Sequence, residues 1–95
     1  FNPYPFGISV SEFQTQSRLQ QIVRKAIQQV VKHYSSDRRI QKLIRLSETV
    51  LSLLHDLEKI PYLPGSFRPD FLYDLDGNIK ICEINARFPT NGYWI

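Results

Sequence analysis

Two strand-like runs flank Asp76-Gly77 in the last third of this chain, and that pattern limits the fold more than any other feature. Residues 67–73 are rich in aromatic and β-favouring types, and residues 78–84 again read as a strand. An Asp-Gly pair between such runs supplies the two positive φ angles of a type I′ turn, so an antiparallel hairpin is expected. With Asp76 and Gly77 as a two-residue turn, Asp70 falls opposite Glu83, Arg68 opposite Asn85 and Leu72 opposite Ile81. A four-residue loop over residues 75–78 gives the same register. Side chains alternate between faces, so Arg68, Asp70, Glu83 and Asn85 project from one side. Phe67, Pro69, Phe71, Tyr73, Lys80, Cys82 and Ile84 form the other, which is apolar enough to be the core side.

Upstream the periodicity is helical. Leu19, Ile22, Val23, Ala26, Ile27, Val30, Val31 and Tyr34 recur at steps of three and four, which predicts one helix over about residues 10–34. Ser9 followed by Glu12 fits a capping box at its start. Ser35-Ser36-Asp37 is a break with a fresh cap. Ile40, Leu43 and Ile44 predict a short second helix, and Ser47 with Val50, Leu51, Leu53, Leu54 and Leu57 a third, ending near Ile60 before Pro61. Nothing between Arg45 and Ser47 forces a stop, so the last two could be one bent helix. Two prolines and a glycine keep residues 1–7 extended. The expected class is therefore α+β, with a helical region over residues 1–65 packed on a hairpin segment over residues 66–95. The expected core is Leu19, Ile22, Val23, Ile27, Val30, Leu43, Leu51, Leu54, Phe71 and Ile84.

Ninety-five residues bury only a modest core. No apolar run approaches the roughly 18 residues that cross a bilayer, so no membrane partner is expected. The single cysteine, Cys82, excludes an internal disulfide framework and fits a reducing cytoplasm. The chain starts at Phe1 and stops at the apolar run Tyr93-Trp94-Ile95, which reads as a fragment, or as a subunit docking on a partner or on the rest of its own chain. The net charge of +3 is concentrated: residues 18–45 hold Arg18, Arg24, Lys25, Lys32, Arg38, Arg39, Lys42 and Arg45 against one acid, Asp37. Such a run either faces a polyanion or is a solvated helix face.

The polar face of the hairpin holds the candidate chemistry. Opposed carboxylates at about 4.5–5.5 Å between Cβ atoms destabilise a sheet unless something neutralises them. Two carboxylates and an amide oxygen are hard ligands suited to Mg²⁺, and a planar guanidinium suits a phosphoryl oxygen. On spacing alone, surface ion pairing of Arg68 with Asp70 and Glu83 accounts for the same residues. His33 and His55 have no ligand-like spacing, Cys82 has no activating His pattern, and no serine lies in a nucleophile elbow. The acids around Asp76-Gly77 lack the full spacing of a calcium loop.

Arg68-Pro69-Asp70, the Asp76-Gly77 turn and Cys82-Glu83-Ile84-Asn85 resemble the metal-binding end of ATP-grasp carboxylate–amine ligases. The helical stretch before them is similar in order to the circularly permuted, glutathionylspermidine synthase-like group. The resemblance implies that Asp70, Glu83 and Asn85 hold Mg²⁺, that Arg68 and Asn85 contact ATP, and that Arg68 is catalytic. It implies a fragment of an ATP-dependent ligase joining a small carboxylate to an amine through an acyl phosphate. Arg87 and the Phe88-Pro89-Thr90-Asn91-Gly92 loop would stand beside the acyl acceptor. The preceding residues lack the nucleotide-clamping lysines and glycine-rich lid, so the chain is expected to be incomplete as an enzyme. The rival expectation is a small helical interaction module whose hairpin is structural and whose basic helix binds an acidic partner, with nucleic acid the less favoured ligand.

Overall fold

The computed structural model describes residue 4 and residues 7–86. Expectations for the rest of the first six residues, for Arg87, for the loop over residues 88–92 and for Tyr93-Trp94-Ile95 lie outside the described residues. The order of elements is α1 (Val10–His33), α2 (Arg38–Leu43), α3 (Glu48–Leu57), β1 (Arg68–Tyr73) and β2 (Ile79–Asn85), an α+β arrangement. The two strands form one antiparallel sheet.

Each helix starts where a side chain satisfies the free N–H groups of its first turn. For α1 the cap is reciprocal. The Glu12 N–H donates to Ser9 Oγ at 3.1 Å and the Ser9 N–H to Glu12 Oε2 at 2.8 Å. Asp37 caps α2, taking the Arg39 N–H at 2.9 Å, and Ser47 caps α3, taking the Val50 N–H at 3.4 Å. The last two helices are separate. Ile44 ends α2 in an extended conformation (φ −114°, ψ 91°), and the Tyr34 hydroxyl donates to its carbonyl at 2.8 Å. Gln41 Nε2 in turn donates to the Tyr34 carbonyl at 2.7 Å. The buried tyrosine therefore ties the end of α1 to the α2–α3 connection, a long-range bond that periodicity could not show.

The hairpin register corrects the expected one near the turn. Arg68 faces Asn85, Pro69 faces Ile84 and Asp70 faces Glu83, but Phe71 then faces Ile81, Leu72 faces Lys80 and Tyr73 faces Ile79. The turn is not a two-residue one. Asp74 N–H donates to the Asn78 carbonyl and Gly77 N–H to the Asp74 carbonyl, so the loop is Leu75, Asp76 and Gly77. Gly77 alone among the described residues has positive φ, at 80°, which excludes a type I′ turn and fits a three-residue loop ending in a left-handed glycine. That loop moves the register by one residue, and a bulge at Cys82, opposite the step from Asp70 to Phe71, moves it back.

The two irregularities redistribute the faces. Ile79 and Ile81 join Pro69, Phe71, Tyr73 and Ile84 on the apolar side, and Lys80 crosses to the polar side with Leu72. Cys82, expected on the core face, is the bulged residue and is exposed.

The core is smaller than the apolar pattern implies. Val23 and Tyr34 are the buried apolar side chains among the described residues, joined by buried Pro69. Leu19, Ile27, Leu54 and Phe71 are half-buried, whereas Ile22, Val30, Leu43, Leu51 and Ile84 are exposed, Leu43 by 86%. Among the described residues, close packing along whole elements occurs only between β1 and β2. Three helices and one hairpin offer too few opposed faces to cover a stripe that runs the length of α1.

Candidate functional site

Arg68, Asp70, Glu83 and Asn85 are brought together, as the register of the strand ends requires. The guanidinium of Arg68 grips Asp70 with both prongs, Nε to Oδ1 at 2.7 Å and Nη2 to Oδ2 at 3.2 Å. The Asn85 amide nitrogen stands between the two carboxylates, donating to Asp70 Oδ2 at 3.3 Å and to Glu83 Oε1 at 2.9 Å. The repulsion expected of the acid pair is thus relieved by protein groups. Arg68 holds the Asp70 carboxyl below its usual range, and Asp70 raises the guanidinium in return. The fork that could meet a phosphate is bound to Asp70, and Asn85 turns its nitrogen to the acids. Among the described residues no group of three or more His, Cys, Asp or Glu side chains could hold a metal ion.

A second polar organiser sits at the turn. Asp74 accepts from the Asp76 N–H at 3.0 Å, from the Asn78 N–H at 2.8 Å and from Asn78 Nδ2 at 3.3 Å, with Lys80 Nζ 3.8 Å away. Asp74 is an Asx-type turn former, a signal present in the sequence but read there only as a weak calcium pattern.

The basic run behaves differently. Of its eight cations, Arg39 alone is paired, by Nε and Nη2 to the Asp37 carboxylate at 3.2 and 2.9 Å. The same contacts, with the Arg39 N–H, lower the Asp37 carboxyl to about 2. Arg18, Arg24, Lys25, Lys32, Arg38, Lys42 and Arg45 are exposed and have no ion pair among the described residues. Arg18, Lys25 and Lys32 recur every two turns along the side of α1 away from Val23. His33 is the last residue of α1, bonded to Gln29 at 3.1 Å, and His55 lies 3.6 Å from Glu58, so both are exposed helix-end residues as expected.

The fold and its charges define a small α+β module with an internally matched hairpin and an unmatched cationic helical surface. Residues 19–95, nearly all of it, match the model of the AnkG N-terminal domain, and the chain belongs to that family. No curated protein and no solved structure matches it. The family match overturns the ATP-grasp resemblance, and with it the ligase reading. It covers the whole hairpin together with most of the helical region, whereas the ligase likeness rested on one strand pair. An Arg-x-Asp strand opposite a Glu-x-Asn strand gathers these side chains in any antiparallel hairpin of this register, whatever the family.

Proposed function

We propose that this chain is a protein-interaction module whose basic helical surface, over residues 18–45, receives an acidic protein partner. The observation that carries the reading is the set of seven exposed cations that have no ion pair among the described residues. Arg38 and Lys42, four residues apart on α2, repel by a few tenths of a kcal/mol, a cost that an opposed anionic surface removes. Such a surface also steers association, making the on-rate sensitive to salt. The exposed apolar side chains beside it supply the contact area that charge alone does not. The hairpin closes the module and contributes no chemistry to this reading.

The test is fluorescence anisotropy of a Glu-rich 20-residue peptide, an RNA and a duplex DNA of matched charge, each against the full chain. The peptide is expected to bind most tightly and to weaken with salt. Reversal of Arg18, Lys25 and Lys32 to Glu is expected to lower its affinity about tenfold or more, about 1.4 kcal/mol. Tighter binding of either nucleic acid, with a steep salt slope, would replace this reading with a nucleic-acid one.

A further inference from the structure

Beside the cationic side of α1 lies a groove of about 890 Å³, walled by α1, α3 and the segment after α3. On the α1 wall Gln28, Val31, Lys32 and Ser35 follow one another at helical steps, and Leu54, Leu57 and Glu58 form the α3 wall. Ile60, Pro61, Tyr62 and Leu63 close one end. Its rims are unusually apolar for surface positions: Leu57 is 52% and Leu63 74% exposed. Clustered exposed apolar side chains of this kind mark contact surfaces, not the scattered residues found on any protein. No buried side-chain nitrogen or oxygen among the described residues lacks a partner.

Glu58 and Lys32 are the charged side chains that line the groove. Glu58, the acid in the lining, is already bonded by the Ser35 hydroxyl at 2.6 Å and flanked by His55 at 3.6 Å. Lys32 lines the groove without an ion pair, and Arg24 lies one turn before Gln28 on the same side of α1, next to Lys25. An occupant that is apolar on one side and anionic on the other meets all of these at once. A strand would present its apolar residues at alternate positions with its backbone groups unpaired over the groove floor. A helix satisfies its own backbone and presents an apolar stripe at i, i+3, i+4 and i+7.

We propose that this groove seats an amphipathic helix of the acidic partner, with its apolar stripe against Leu54, Leu57 and Leu63 and its carboxylates toward Arg24, Lys25 and Lys32. The inference rests on the acidic-partner reading above and assigns it a place and a partner structure. The seven-residue step from Lys25 to Lys32 spans about 10.5 Å of helix, so acids two turns apart on the partner match it.

The test uses three 18-residue peptides against the full chain: one of Leu and Glu with a helical stripe, one of the same composition with the stripe scattered, and one with Lys for Glu. The striped acidic peptide is expected to bind about tenfold more tightly than the scattered one and to gain helical circular dichroism on binding. The variant Leu57→Ser with Leu63→Ser is expected to remove that advantage, as is Lys32→Glu. Leu63→Ser alone, outside any helix, serves if the double variant loses its helical signal. Leu75→Ser, on the exposed hairpin loop outside both the groove and the basic surface, should leave the stripe preference in place. Equal binding of both acidic peptides, insensitive to Leu57 and Leu63, would overturn the groove while leaving the acidic-partner reading intact. Failure of both acidic peptides to bind would overturn both.

Discussion

The helical region and the hairpin handle their charges in opposite ways. In the hairpin the polar groups close on one another: Arg68 on Asp70, Asn85 on both carboxylates, and Asp74 on the turn. In the helical region Glu12 and Asp37 cap helices, while seven of eight cations in the basic run have no ion pair among the described residues. Apolar surface does not follow the same division: Leu72, Leu75 and Ile81 of the hairpin are exposed, as are Leu43, Leu57 and Leu63 of the helical region and its connection. A region whose charges are mutually satisfied has little charge left to offer a partner. A polar cluster that looks like a site can therefore be the structural part, and a plain amphipathic helix the functional one.

Several substitutions would break or sharpen that contrast. The largest stability loss is expected from Val23→Ala, which removes apolar volume from a core of very few members. It should cost about 2 kcal/mol and lower Tm by roughly 10 °C in a thermal melt. A loss under about 0.5 kcal/mol would mean that α1 is held mainly by its caps. Gly77→Ala is expected to cost about 1–2 kcal/mol, because φ of 80° is strained for any residue with a Cβ. The space around Gly77 is open, so the effect would be conformational rather than steric. Ser9→Ala should cost about 1 kcal/mol and fray the start of α1, read as lost helical circular dichroism.

Acid separates the regions more gradually. Asp37 and Asp70 both have carboxyls lowered in the folded state, to about 2 for Asp37. Each contributes stability that is fully present above the unfolded carboxyl value of about 3.9, and that is lost as pH falls through the folded value. Melts should therefore weaken between about pH 4 and 2, and Asp70→Asn should flatten this dependence for hairpin signals more than for helical ones. The smallest effect on stability is expected from Lys25→Glu and Lys32→Glu, within about 0.5 kcal/mol or slightly stabilising, because no ion pair is lost. The same changes should weaken acidic-peptide binding, and a large loss of Tm instead would place these lysines in the structure rather than the interface.

The sequence by itself determined the local elements. Ser9 with Glu12, Asp37 and Ser47 mark helix starts because capping needs only residues within one turn. Asp-Gly between strand-like runs marks the hairpin for the same reason, but the outer pairs Arg68–Asn85 and Asp70–Glu83 are met only because the bulge at Cys82 cancels the shift of the three-residue loop. What the sequence could not determine was anything fixed by groups far apart along the chain. The bulge at Cys82, the crossing of Lys80 to the polar face and the Tyr34 bond to the Ile44 carbonyl all depend on three-dimensional fit. So does the size of the core: periodicity says which side of a helix could be buried, but burial needs an opposing surface. The candidate site divides along the same line. Its four residues and their shared face were legible from alternation, while the groups that satisfy them, Arg68 and the Asn85 amide, were decided by side-chain geometry in the folded hairpin.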